Sequence, residues 1–169
     1  MGKLTPVLKK YDEIYPERYK TEYASRLWQS TNIDIENGDG LAAESKLKNA
    51  KYIYEERLTQ QELNKNIDYI TLIMNLGLSL YMQSKFDTSE IYLKEALKLI
   101  EPIQDQSLDN LEVAAQVNQN LGTLYLSIDH NHTNKYYQKA LEYLLKINKT
   151  KPNTDLEYIK RLEDYLKTH

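Results

Sequence analysis

The sequence predicts an all-α protein, a helical-hairpin solenoid of about three long repeats with helices at either end. Three observations carry that prediction. The runs "YITLIMNLGLSLYMQS" and "VAAQVNQNLGTLYLSI" place the same triplet at Asn75–Gly77 and Asn120–Gly122, 45 residues apart. The segments "AAESKLKNAKYI", "TSEIYLKEALKL" and "NKYYQKALEYL" align through Ala50, Ala96 and Ala140, spaced 46 and 44 apart. Proline occurs only at 6, 16, 102 and 152, all at helix starts or ends, and no β-branched alternating stretch competes. Self-similarity at about 45 residues marks stacked units, each burying its apolar face against the next.

In chain order, Thr5-Pro6 is an N-cap followed by proline at the first helical position, opening a short helix near 6–14. A long helix near 17–36 ends at "NGDG" (37–40), the strongest turn signal present. Helices follow near 40–58, 60–84, 87–101, 107–128, 132–148 and 154–167. Thr59…Glu62, Asp87…Glu90 and Thr154…Glu157 have the spacing of capping boxes. The last helix sets Tyr158, Leu162 and Leu166 on one edge, opposite Lys160, Arg161, Glu163 and Asp164, as a capping helix should. The whole is one domain, 1–169, with an N-terminal helical segment at 1–24, repeats at 25–148 and the cap at 149–169. Glycine inside a helix costs roughly 1 kcal/mol against alanine. Gly77 and Gly122 are therefore expected where two helices cross closely, facing small residues such as Ser89 and Ala96.

Composition bounds the function. The 169 residues are 41% hydrophobic and 28% charged, with net charge −3, enough for one packed core. No global basic field draws the chain to nucleic acid or an anionic membrane. Residues 1–30 and 146–169 each carry six basic and four acidic side chains, and 31–145 carries ten and seventeen. There is no cysteine, which removes disulfides, thiolate nucleophiles and Cys-ligated zinc together. The two uncharged runs are too short and too polar to span a bilayer. The expected location is the cytoplasm.

At "NLGLSLYMQSKFDTSEIYLKEALKLIEP" the chain resembles the tetratricopeptide repeat (TPR) family. The Leu76-Gly77 pair, Phe86 near the turn, Ser89 opening the second helix, Ala96 and Pro102 carry the likeness. Leu121, Gly122, Tyr125 and Ala140 repeat it with one residue fewer in the turn. The first repeat keeps Trp28, Ala43, Leu47 and Ala50 but has Thr31 where glycine is expected. The repeat length of about 45, against the family's usual 34, resembles the long-helix variants of Gram-positive peptide-pheromone receptors and kinesin light chains. The resemblance implies a superhelix whose first helices line a concave face that binds protein segments. It also implies that Asn32, Asn75 and Asn120 fall where asparagine meets an extended peptide. Trp28, Gln116 and Asn120 stand where some relatives hold a chaperone's C-terminal carboxylate with Lys or Arg, so a chaperone-tail clamp is not expected.

The uncharged runs supply the candidate binding residues. Carboxamides donate to and accept from a peptide backbone at once. Asn32, Asn75, Gln116, Gln119 and Asn120, with Thr71 and Thr123, would hold a ligand's main chain. Met74, Leu78 and Met82 would contact its side chains. The competing reading is that these runs are buried on both sides, and buried amides then need partners of their own, Asn118 among them. Tyr11, Tyr15, Tyr19 and Tyr23 wind slowly around a helix, suited either to packing on the first repeat or to a partner. His130 and His132 read as solvated turn residues. No Gly-rich phosphate loop, nucleophile with a base, or EF-hand spacing occurs. The expectation is a non-catalytic protein- or peptide-binding module, without cofactor or metal. Self-assembly into a larger scaffold is the alternative.

Overall fold

The computed structural model describes residues 21–103 and 107–169, and every described element is a helix or a turn. The helices are α1 (Glu22–Gln29), α2 (Thr31–Glu36), α3 (Gly40–Arg57), α4 (Gln60–Leu63), α5 (Ile67–Met82), α6 (Phe86–Ile100), α7 (Leu108–Ile128), α8 (Thr133–Thr150) and α9 (Leu156–Thr168). The helix expected near 6–14, its Thr5-Pro6 start, and Tyr11, Tyr15 and Tyr19 lie outside the described residues.

Two expected helices are interrupted, each for a local reason. The stretch ending at residue 36 divides at Ser30, which keeps helical dihedrals (φ −65°, ψ −15°) while Thr31 Oγ1 donates to the Trp28 carbonyl at 2.5 Å. The stretch 60–84 divides at Asn64–Asn66. Thr59 and Glu62 do form the expected capping box, but it opens the single turn α4. Asn66 then starts α5 anew, its side chain accepting from the Tyr69 amide at 2.9 Å. The other two proposed boxes are not formed. Lys85 is the N-cap of α6, and Asp155 is that of α9, neither with a side-chain cap bond.

Each of three helix pairs is joined by a turn with one left-handed residue, and the first two turns share the same closing bond while at the third His130 itself bonds back to the Tyr125 carbonyl. Gly38, Ser84 and His130 all have positive φ (76°, 58° and 59°) and stand 46 residues apart. A left-handed residue here closes the preceding helix, as in the Asp39 amide to Asp34 carbonyl and Lys85 amide to Leu80 carbonyl bonds. Buried positions recur at spacings of 46 and then 44 residues. Leu47, Leu93 and Tyr137 are one set; Ala50, Ala96 and Ala140 a second; Tyr54, Ile100 and Leu144 a third. The ion pairs Lys48–Glu44 and Lys94–Glu90 recur too, both at 2.5 Å.

The glycines sit at close crossings, but what faces them is larger than expected. A methyl group on Gly77 would lie 2.6 Å from Leu93 Cγ. One on Gly122 would run into the Tyr137 ring, closer than any Cβ packs. Each glycine thus makes room for a bulky side chain from the second helix. Ser89 contributes separately, donating from Oγ to the Gly77 carbonyl at 2.7 Å. Gly40 is a third crossing point, where an added methyl would stand 2.6 Å from the Ser79 carbonyl of α5.

The core has a main cluster around α3, α5, α6 and the inner face of α7, and a second uniting Leu111 and Ala115 of α7 with α8 and α9. Helix α7 contributes to both. Ile159 and Leu162 seat α9, and Tyr165 meets Tyr137 edge-on at 5.2 Å.

Candidate functional site

A spacing of 45 residues matches the candidate residues of α5 with those of α7: Thr71 with Gln116, Met74 with Gln119, Asn75 with Asn120 and Leu78 with Thr123. The two rows have different fates. Met74 and Asn75 are buried, at 3% and 7% exposure, and Thr71 donates to its own helix at the Ile67 carbonyl, 2.8 Å away. Leu78 and Met82 are half-buried, and Met82 lies beside the Gly40 crossing. On α7, Gln116 is exposed, while Gln119, Asn120 and Thr123 are half-buried. Asn118 is buried and donates to the Ala114 carbonyl at 2.8 Å, the intrahelical partner that such an amide needs. Asn32 is exposed on α2. It follows Thr31 by one residue, whereas Asn75 precedes Gly77 by two, so Asn32 is not their equivalent.

The physical difference between the two rows lies in what covers them. The Ser79–Met82 end of α5 packs under Gly40 of α3, and its start is tied to α1 by Ser25 Oγ donating to Asp68 at 3.1 Å. Of the α7 row, Gln116 and Gln119 face α9 across a cleft of about 460 Å³, and Asn120 and Thr123 lie outside its lining. Glu112, Gln116 and Gln119 form one wall and Asp155 and Tyr158 the other. Ala115, Leu144 and Ile147 line its apolar floor. Burial pushes the Tyr158 hydroxyl above its ordinary pKa, and the Gln119 amide beside it acts in the opposite direction. Thr123 Oγ1 and the Tyr137 hydroxyl share a hydrogen bond at 3.3 Å further along the same helix.

Chemically, this cleft offers carboxamides, a phenol and two carboxylates above an apolar base. It is equipped to hold a chain by hydrogen bonds and side-chain contact. A larger cavity of about 930 Å³ lies between α4, α6, Pro102–Ile103 and Asn110 of α7. It holds none of the candidate residues. Among the described residues, no group of three or more His, Asp or Glu side chains is placed to hold a metal ion. His130 and His132 are exposed, with His132 Nδ1 3.7 Å from Asp129. No described helix is long and apolar enough to cross a membrane.

Sequence reasoning missed Glu112 and Asp155. The first is the charge that ends the uncharged run of α7, a legible signal. The second sits at φ 53° at the start of α9, where nothing in the sequence announces it. Tyr158 was visible as part of the apolar edge of the last helix, but not as a wall of a cleft. Comparison of the chain with protein-family models, with curated proteins and with solved structures returned no match.

Proposed function

We propose that the chain is a TPR-like, non-catalytic adaptor module that binds an extended protein segment along α7, in the cleft beneath α9. The observation that carries this reading is the pair of at least partly exposed carboxamides Gln116 and Gln119 beside an apolar floor, with half-buried Asn120 next along the helix. Those amides pair with a peptide main chain, and the floor takes a side chain. The matched buried positions and the three left-handed turn residues support the repeat reading, because like units stacked in series need like contacts. The site lies at one end of the molecule because the corresponding row on α5 is covered.

The test is selection of random-sequence displayed peptides against the whole chain, followed by synthesis of the enriched sequences. Binding that Gln116→Ala/Gln119→Ala weakens by about 1–3 kcal/mol, as for lost interfacial hydrogen bonds, supports the reading. Binding indifferent to that variant contradicts it.

A second reading, self-assembly, rests on Ile33 and Leu41, which are 65% and 68% exposed on either side of the first turn. Sedimentation equilibrium of Ile33→Ser/Leu41→Ser against the wild type separates the two. Concentration-dependent mass lost in the variant favours assembly, and a wild-type monomer at all concentrations excludes it.

A further inference from the structure

We infer that the α7–α9 cleft selects a Lys or Arg side chain of the bound segment, with Glu112 and Asp155 facing its charge. This rests on the binding reading above and specifies the partner's chemistry. The residues lining the cleft include two carboxylates and no cation. Neither carboxylate takes an ion pair or a hydrogen bond among the described residues. Glu112 is half-buried and Asp155 exposed, so both stay accessible to a cation that enters the cleft. Nearby, Glu142 is paired with Lys139 at 2.8 Å, Glu157 with Arg161 at 2.5 Å and Asp164 with Lys167 at 3.6 Å. Asp155 stands at the N-cap of α9, yet its side chain does not cap the helix. Its charge is therefore not engaged by the amides that usually hold such a residue.

The rest of the cleft fits the same guest. A lysine or arginine has an apolar stem and a charged head, and buries the first while presenting the second to an anion. Leu144 and Ile147 at the floor suit the stem, and the Tyr158 ring offers an aromatic wall to the cation. The volume of about 460 Å³ admits one long side chain with its flanking backbone. Gln116, and the part of the Gln119 amide that the Tyr158 hydroxyl leaves free, remain to hold that backbone. An acidic segment would instead meet two unpaired carboxylates, and like charges across an interface exclude a partner.

The experiment uses phage-displayed random peptides of about twelve residues, selected on the full chain at about 50 mM salt. The expected result is enrichment of Lys or Arg at one fixed position. Replacing that residue by norleucine in the synthetic peptide should weaken binding about tenfold, the scale of one partly screened charge pair. Glu112→Gln/Asp155→Asn should weaken the basic peptide by a similar factor and leave the norleucine peptide unchanged. Raising salt to about 500 mM on the wild-type protein should weaken the basic peptide alone, a readout that needs no variant. Enriched peptides without a fixed basic residue, or equal affinity for the carboxamide-for-carboxylate variant, overturn the inference. If such peptides still depend on Gln116 and Gln119, the binding reading survives without it. If they depend on neither pair, or if no peptide is enriched, both fall.

Discussion

Placing a methyl group on Gly77 tests how the hairpins are held. Gly77→Ala should destabilise the protein, although alanine is the better helix former by about 1 kcal/mol. The added Cβ would stand 2.6 Å from Leu93 Cγ, 2.8 Å from Cδ2 and 3.2 Å from the Leu93 backbone nitrogen. Leu93 is 1% exposed, so its side chain has little room to retreat, and the nearby backbone nitrogen means that α5 and α6 must separate. Overpacking of this kind costs about 1–3 kcal/mol, at the upper end where backbone is approached. Offset by the propensity gain, the net loss is about 1–2 kcal/mol. The assay is urea unfolding followed by circular dichroism, with Leu93→Ala as the second arm of a double-mutant cycle. Leu93→Ala alone should cost about 2–5 kcal/mol by opening a cavity. In that background the Cγ and Cδ2 contacts are gone and only the backbone nitrogen at 3.2 Å remains, so Gly77→Ala should lose most of its cost and come out between neutral and about 0.5 kcal/mol stabilising. Equal effects of Gly77→Ala in both backgrounds would refute the close crossing.

Two further perturbations bear on stability. Ser84→Gly should raise stability by about 0.5–1 kcal/mol by relieving a left-handed serine, whereas Gly38→Ala should lower it by about 1 kcal/mol at the equivalent turn; paired urea midpoints check the opposite signs. Glu44 is buried between Lys48 at 2.5 Å, Gln83 at 2.8 Å and Lys85 at 3.1 Å, and the Lys48 and Gln83 hydrogen bonds hold its carboxyl down at about 2, against an ordinary 4.5. A carboxyl depressed by folding stabilises fully above its unfolded value and loses that contribution as pH falls through the folded one. Glu44→Gln should therefore cost about 1–2 kcal/mol at pH 7, discounted for the half-exposed lysines, with the deficit shrinking between pH 4.5 and 2. A deficit that stays constant over that range would show that the charge is not its source.

Much of the fold was legible because its signals are local. The NGDG turn acts within a few residues and the helices on either side follow it, whereas the Thr59–Glu62 box forms but opens a single turn, because Asn66 restarts the helix. What the sequence did not disclose depends on neighbours. Ser84 and His130 adopt the conformation that Gly38 advertises, because hairpin closure imposes it on residues that do not prefer it. Gly77 and Gly122 announced a close approach, but the identity of the approaching group, Leu93 or Tyr137, depends on how the second helix is rotated. The candidate site divided for the same reason. Nothing in "MNLG" against "QNLG" tells that Asn75 is buried while Asn120 stays partly exposed. That difference is set by the neighbouring helices, and Asn75 and Asn120 read alike without them.

The most direct test of the account follows backbone amide shifts of the labelled protein as a selected peptide is titrated. Binding along α7 predicts perturbations concentrated at Glu112–Thr123 and Asp155–Tyr158, with the α4–α6 cavity residues Gln60, Glu95 and Lys98 unmoved. Perturbations centred on that second cavity, or on Ile33 and Leu41, with α7 silent, would contradict it.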